Sequence, residues 1–342
     1  MAATSITSPN IVHVTKELDP SGKLGRAANL LTQTNEMAKV VPIVRANNNT
    51  LHRTIVVTEL GSAAERGMNE GTVPSISTTS QQDFQISHID SWFKGDLEVV
   101  AASGAPEEYI GRQVMRRWEA VGQRWGYLSI YGNHASSQKQ FTGLANMASM
   151  STLGQQCISA GGSTSSVQSS MYLIDAGEDS VYYITPQNSP TYGIQTVNHG
   201  IQIAQRQNGV DDAHMAAHVR QVKLAVGLVV EDQRKAIRIA NIEVSHFTAL
   251  TSTQATTSME SLPHKMLIAI GRLPRDSRGN RFFLADRTVY VGLVRLAMEK
   301  SMTGLGLRDA MNQLGNVEST LYFQNIPIYL QDQITNTEAV VS

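Results

Sequence analysis

The chain has 342 residues, of which 41% are hydrophobic and only 17% charged, and it carries a formal net charge of −1 with a pI near 6.8. That length suits two lobes better than one compact domain. The charge balance excludes binding to phosphates by counterion release as the main activity, and the single cysteine, Cys157, excludes an intramolecular disulfide or a metal framework built on thiolates.

Residues 1–23, broken by Pro9, Pro20 and Gly22, read as an extended arm. Residues 24–38 read as a short helix with Leu24, Ala28, Leu31 and Ala38 near one face. Neither stretch has the apolar core of a signal peptide. No stretch approaches the ~18 apolar residues of a membrane span, so a soluble protein made in a reducing compartment is expected. Residues 51–60 (LHRTIVVTEL) are β-branched, and 82–93 (QDFQISHIDSWF) read as the strand that returns. The polar stretch between them contains Gly61, Gly67, Gly71 and Pro74. Together they form a long hairpin with no plain core face, and a two-stranded ribbon is marginal alone in water. It either folds back on its own domain or lies across a neighbouring subunit.

Residues 106–131 carry the clearest helix. Pro106 suits its first position, and Glu107 and Glu108 suit the positive end of its dipole. Ile110, Val114, Trp118, Val121, Trp125 and Leu128 make one apolar stripe along about 39 Å. Gly111, Gly122 and Gly126 each cost about 1 kcal/mol relative to Ala, so packing must hold this helix. Residues 132–168 read as loop. Two strand pairs follow, 171–175 with 181–185 and 219–230 with 234–242, and the polar stretch 186–218 between the pairs reads as a surface loop. Met259, Leu262, Met266, Ile270 and Leu273 mark a helix with Pro263 in its first turn. A strand at 282–284 precedes a helix at 287–300 that Asp286 caps. A glycine-rich loop at 304–306 leads to strands around 318–330.

No residue pattern points to catalysis. His214 and His218 would stand one helical turn apart, with Asp211 or Asp212 as a third metal ligand, but Met215 stands where a zinc protease motif needs Glu. A solvated histidine pair is the plainer reading. Gly304, Gly306 and Gly315 lack the spacing of a dinucleotide fingerprint. Arg272, Arg275, Arg278, Arg281 and Arg287 form a basic turn without the aromatic platform of a single-strand binder. Cys157 reads as a buried, inert thiol.

The order of elements (arm, long hairpin, long amphipathic helix, strand-rich middle, then helix–strand–helix) resembles the major capsid proteins of tailed bacteriophages with the HK97-like fold. Four stretches are similar to capsid proteins of short-tailed phages of the epsilon-fifteen and Bordetella-phage kind. They are RGMNEGTVP at 66–74, YGNHASSQKQFTGLANM at 131–147, VGLVVEDQRKAIRIANI at 226–242, and FLADRTVYVGLVRLAM at 283–298 with FQNIPIYLQDQITNTEAVV at 323–341. The resemblance implies an α+β fold with an N-terminal arm at 1–50, an E-loop at 51–103, and a spine helix and peripheral domain at 104–249. An axial domain at 250–330 and a tail at 331–342 complete it. The helix–strand–helix piece comes last, which implies a permuted connection.

The resemblance further implies a subunit that self-assembles through hexamers and pentamers into an icosahedral phage head, located in the virion and assembled in the host bacterial cytoplasm. The shell would enclose double-stranded DNA without specific binding, with decoration, scaffolding and portal proteins as further partners and with no membrane, cofactor or metal. Interface candidates are Arg53, Glu65, Arg66, Glu70 and Lys94, while Ile110, Val114, Trp118, Val121 and Trp125 form the core of the spine helix. Shell crosslinking through Lys94 is not expected, because no carboxylate partner is identifiable. The alternatives are an encapsulin-type shell and a metal-dependent enzyme using His214 and His218.

Overall fold

A computed structural model describes residues 14, 17, 33, 35–189, 193–205, 214–248, 253–274, 279–298, 305–311 and 317–342. Of the expected arm only Val14 and Glu17 are among these residues, and of the expected 24–38 helix only Gln33 and residues 35–38, where helix begins at Met37 and runs to Val40. The chain divides into two compact units. One comprises Met1–Thr34, His88–Gly126 and Thr191–Ala225; the other comprises Asn35–Ser87, Tyr127–Pro190 and Val226–Ser342.

The strands are β1 (Ile43–Arg45), β2 (Leu51–Glu59), β3 (Thr78–Gln85), β4 (Ser87–Asp96), β5 (Cys157–Ser159), β6 (Gln168–Ala176), β7 (Val181–Thr185), β8 (Gln195–Gln205), β9 (His214–Val230), β10 (Ala236–Glu243), β11 (Asn280–Ala285), β12 (Leu305–Met311), β13 (Val317–Phe323) and β14 (Ile326–Leu330). Among the described residues the three long helices are α1 (Pro106–Tyr131), α2 (Thr253–Arg272) and α3 (Arg287–Met298).

In the first unit, helix α1 starts at Pro106 with Glu107 and Glu108 in its first turn, as its sequence dictates. Val14, Phe93, Val100, Tyr109 and Ile110 form its core, with Val114 half-buried against them. Val121 and Trp125 are buried further along the same stripe. Trp118 departs from the expected stripe: it is 39% exposed, and its indole Nε1–H donates to Thr196 Oγ1 at 2.6 Å. The indole nitrogen needs an acceptor, and the polar edge of β8 supplies one. Strands β8 and β9 form an antiparallel hairpin, which corrects the expected loop at 186–218. The β8 sequence QTVNHGIQIAQ leaves Ile201 and Ile203 exposed, so it carries no buried apolar run by which to read a strand.

The second unit is built on β6, whose nine residues are all buried. It pairs antiparallel with β10 on one side and with β11 on the other. From β11 the sheet continues through β14 and β13 to β12, and β5 adds to β10. Helices α2 and α3 cover one face. Leu262, Met266 and Ala269 of α2, Leu273 just after it, and Val289, Leu293 and Leu296 of α3 pack on Met171, Leu173, Ile237, Ile239, Phe283 and Ile328. Both the pairing and this core run across residue 250.

Asp286 Oδ2 accepts from Thr288 N–H at 2.8 Å and caps α3 as expected. Pro263 lies inside α2 rather than in its first turn. The residues ahead of Met259, TQATTS, show no apolar stripe that would announce the six additional helical positions. The two expected strand pairs are also rearranged. Strand β6 meets β7 at one residue pair only, while β7 pairs with β9 and with β1. A strand buried on both faces needs partners on both sides, and distant segments supply them here. The expected glycine-rich loop is strand from Leu305 onward, where β12 pairs with β13.

Candidate functional site

Strands β2 and β3 form a separate two-stranded ribbon, in register from Leu51↔Gln85 to Val57↔Thr79. The return strand is therefore 78–85, not 82–93, and β4 is a separate element. Arg53 binds Asp83 across the ribbon with two parallel hydrogen bonds, Nε to Oδ1 at 2.6 Å and Nη2 to Oδ2 at 2.8 Å. The bond from Arg53 holds the exposed Asp83 carboxyl below its ordinary range.

The root of the ribbon is bound to the body of its own unit. Val44, Phe84 and Ile86 pack on Ala46, Tyr182, Ile184 and Val229. Asn47 clasps the start of β2 twice: its Oδ1 accepts from Arg53 N–H at 3.0 Å, and its Nδ2 donates to Arg53 O at 2.7 Å. His52 sits between the Asn47 backbone and Tyr182, with Nδ1 3.2 Å from Asn47 N and Nε2 3.1 Å from Tyr182 Oη. Gly227 makes room for the returning strand, because a Cβ there would stand 2.4 Å from Gln85 O.

The distal end is different. A turn at 67–70 is closed by Glu70, whose Oε2 accepts from Gly67 N–H at 3.3 Å, and Asn69 has φ +66°. Glu65, Arg66 and Glu70 are exposed. So are the apolar side chains: Leu60 is 85% exposed, Met68 100%, Val73 86% and Ile76 86%, and Ile55 and Val57 on the shaft are more than half exposed. Full burial of such a side chain contributes roughly 1.5–3 kcal/mol, so this is a large unrealised stabilisation in one short segment.

Of the expected interface residues, the structure brings Arg53 to Asp83 and sets Glu65, Arg66 and Glu70 on the ribbon tip. Lys94 lies in β4, outside the ribbon. Ile55, Val57, Leu60, Met68, Val73 and Ile76 were missed. Their sequence signal was weak: the short apolar run Ile55–Val57, then scattered apolar residues without periodicity in a polar stretch.

The histidine pair loses its expected geometry. His214 and His218 are in strand β9, where four residues span about 13 Å, not one helical turn. Asp211 and Asp212 lie outside the described residues. In the basic turn, Arg272 donates to Gly154 O and Gln155 O, and Arg287 forms a forked pair with Asp332. Arg275 and Arg278 lie outside the described residues. Cys157 is buried, and burial pushes its thiol pKa up.

A buried polar cluster escaped the sequence reading. Arg238 in β10 donates from Nη2 to Glu338 Oε2 at 2.8 Å, from Nε to Ser170 Oγ at 3.0 Å, and from Nη1 to the carbonyls of Ala145 and Met150. Tyr131 and Ser170 donate to the same Glu338 carboxylate. Asn241, at φ +59°, binds Val341 through both its amide oxygen and its amide nitrogen. Residues 338–341 are thereby fastened to the sheet. Arg238 between apolar neighbours in the run AIRIANI was the available signal.

The family model of the major capsid protein GP7 matches residues 19–342. Comparison with curated proteins gives no match. Among solved structures, a near-atomic structure of bacteriophage Epsilon15 aligns with a TM-score of 0.74 at 21% identity, covering 100% of this chain and 99% of that one. This likeness shows the fold, which is the HK97-like one. A bacteriophage JBD30 capsid aligns with a TM-score of 0.48 at 10% identity, covering 90% and 93% of the two chains. An encapsulin complex from Synechococcus elongatus aligns with a TM-score of 0.43 at 11% identity, covering 64% of this chain and 92% of that one.

Proposed function

This chain belongs to the family of the major capsid protein GP7, and from that premise we propose that its copies close through hexamers and pentamers into an icosahedral shell around double-stranded DNA. The observation that carries this reading is the ribbon. It is anchored at its root and presents Leu60, Met68, Val73 and Ile76 to solvent. A surface of that kind is stable in a closed symmetric assembly where a sibling covers it.

In this reading the β2–β3 ribbon is the E-loop, and α1 is the spine helix within the 104–249 segment. The arm is 1–50 and the tail 331–342. The axial domain centres on 250–330 and takes in β5, β6 and β10, because one core joins them. Arg53, Glu65, Arg66 and Glu70 flank the apolar contacts of the ribbon, and Lys94 of β4 meets a neighbour separately.

The near-zero net charge suits a wall that contains DNA without gripping it. The protein acts by assembly and not by catalysis. Host cytoplasm is where it assembles, and decoration, scaffolding and portal proteins are its further partners. Electron microscopy of the purified full chain tests the reading. Closed icosahedral particles are the expected result, and a monomer at every concentration overturns it.

A further inference from the structure

We propose that His52 is a proton-operated fastening at the root of the ribbon: neutral His52 holds β2 to the body of its unit, and protonation lets that root loosen. The hydrogen bonds determine the tautomer. Asn47 N–H points at His52 Nδ1 from 3.2 Å, and a backbone N–H only donates, so Nδ1 carries no proton. Nε2 then bears the hydrogen and donates to Tyr182 Oη at 3.1 Å. Tyr182 in turn donates to Glu231 Oε2 at 3.3 Å. One directed chain thus runs from the Asn47 backbone, through the imidazole and the phenol, to a carboxylate.

A second proton has only Nδ1 to occupy, and there it would confront the Asn47 N–H. Two donors would face each other at the place where the chain turns into β2. The clasp between Asn47 and Arg53 lies one residue away, so the strain falls on the hinge itself.

The surroundings favour the neutral ring. Burial lowers the His52 pKa and outweighs Glu231, which favours the cation. Asp179 acts on Tyr182 from the β6–β7 turn. The Arg53–Asp83 pair belongs to the neighbouring register position, on the opposite face of the ribbon. The 46–50 turn, Phe84, Ile184 and Val229 bring no charge. The sign follows from linkage. With the folded pKa below the ordinary 6.5, the fastening is complete above 6.5 and is lost as pH falls towards the lowered value.

Amide hydrogen exchange of the full chain at about pH 7.5 and about pH 5.5, corrected for intrinsic rates, tests this. Peptides covering 47–53 and 84–86 are expected to lose up to about tenfold protection at the lower pH, the ratio set by an unfastened pKa near 6.5. Peptides covering 168–176 are expected to keep theirs. In His52→Gln, whose amide accepts and donates like the neutral ring but does not titrate, the loss is expected to vanish. Equal protection at both pH values, a loss shared by 168–176, or an equal loss in His52→Gln overturns the proposal. Should that variant fail to fold, the wild-type midpoint decides. A midpoint below 6.5 but above the carboxylate range of about 4.5 supports His52, and one within that range overturns it.

Discussion

Arg238 and Glu338, a hundred residues apart in the chain, meet at 2.8 Å with both side chains only 6% exposed. Their pairing joins the middle of the sheet to the tail. Such a pair costs desolvation on both sides, so its presence is weak evidence of net stabilisation, whereas breaking it leaves a charge buried alone.

Glu338→Ala is therefore expected to destabilise the second unit by about 3–5 kcal/mol, because the guanidinium keeps only Ser170 and two carbonyls. Urea unfolding of the full chain reads the loss. The apolar double variant Arg238→Met with Glu338→Leu is expected to recover most of it. A double variant as unstable as the single would show that the cluster does more than satisfy its own charges.

Replacing Leu60, Met68, Val73 and Ile76 together by Ser is expected to leave the subunit's own melting temperature unchanged. None of the four side chains is covered by its own chain. Assembly is expected to fail, each position losing up to about 1.5–3 kcal/mol of burial against a neighbour. Sedimentation velocity separates shells from subunits, and shells of normal yield would refute the ribbon's role.

Gly227→Val places a branched side chain where Gln85 O lies 2.4 Å from a Cβ. Overpacking of this kind costs about 1–3 kcal/mol. The strain falls at the root of the ribbon, so amide protection at 84–86 is expected to drop before that at 168–176.

The Arg53–Asp83 pair gives the ribbon an acid limit of its own. The bond from Arg53 holds the Asp83 carboxyl below its ordinary 3.8. Its contribution is thus present above that value and is lost as pH falls through the lowered one. Protection of the β2–β3 amides is expected to persist to about pH 4 in the wild type, and to be weaker above that pH in Arg53→Gln.

Alanine at both His214 and His218 is expected to leave particle formation unchanged, since β9 spreads the two along about 13 Å of strand. Particle yield and elemental analysis check this together. Stoichiometric zinc lost on substitution would count against it.

Local signals were legible in the sequence, and distant pairings were not. The ends of α1 could be read because Pro106, two glutamates and a regular apolar stripe all act within one helix. Asp286 could be read as a cap for the same reason. The return strand was misplaced because TTSQQDFQ is polar on both faces, whereas the neighbouring SHIDSWF alternates. Strands β6 and β7 look like a hairpin across Gly177, yet their partners are β10, β11, β9 and β1. Local sequence does not encode such choices. At the candidate site, the charges on the tip were visible. The apolar residues beside them were not, because an uncovered Leu60 or Met68 has no periodic companions.

The seating of Glu338 also has a consequence for the order of events during synthesis. At about 5–20 residues per second, Arg238 leaves the ribosome's decoding centre roughly 5–20 s before its carboxylate is made. During that interval Arg238 has no carboxylate to pair with, because Glu338 does not yet exist. Chains interrupted before residue 338 are expected to be cleared by proteases instead of entering particles. Synthesis as far as Glu338 thereby becomes a condition of membership in the shell.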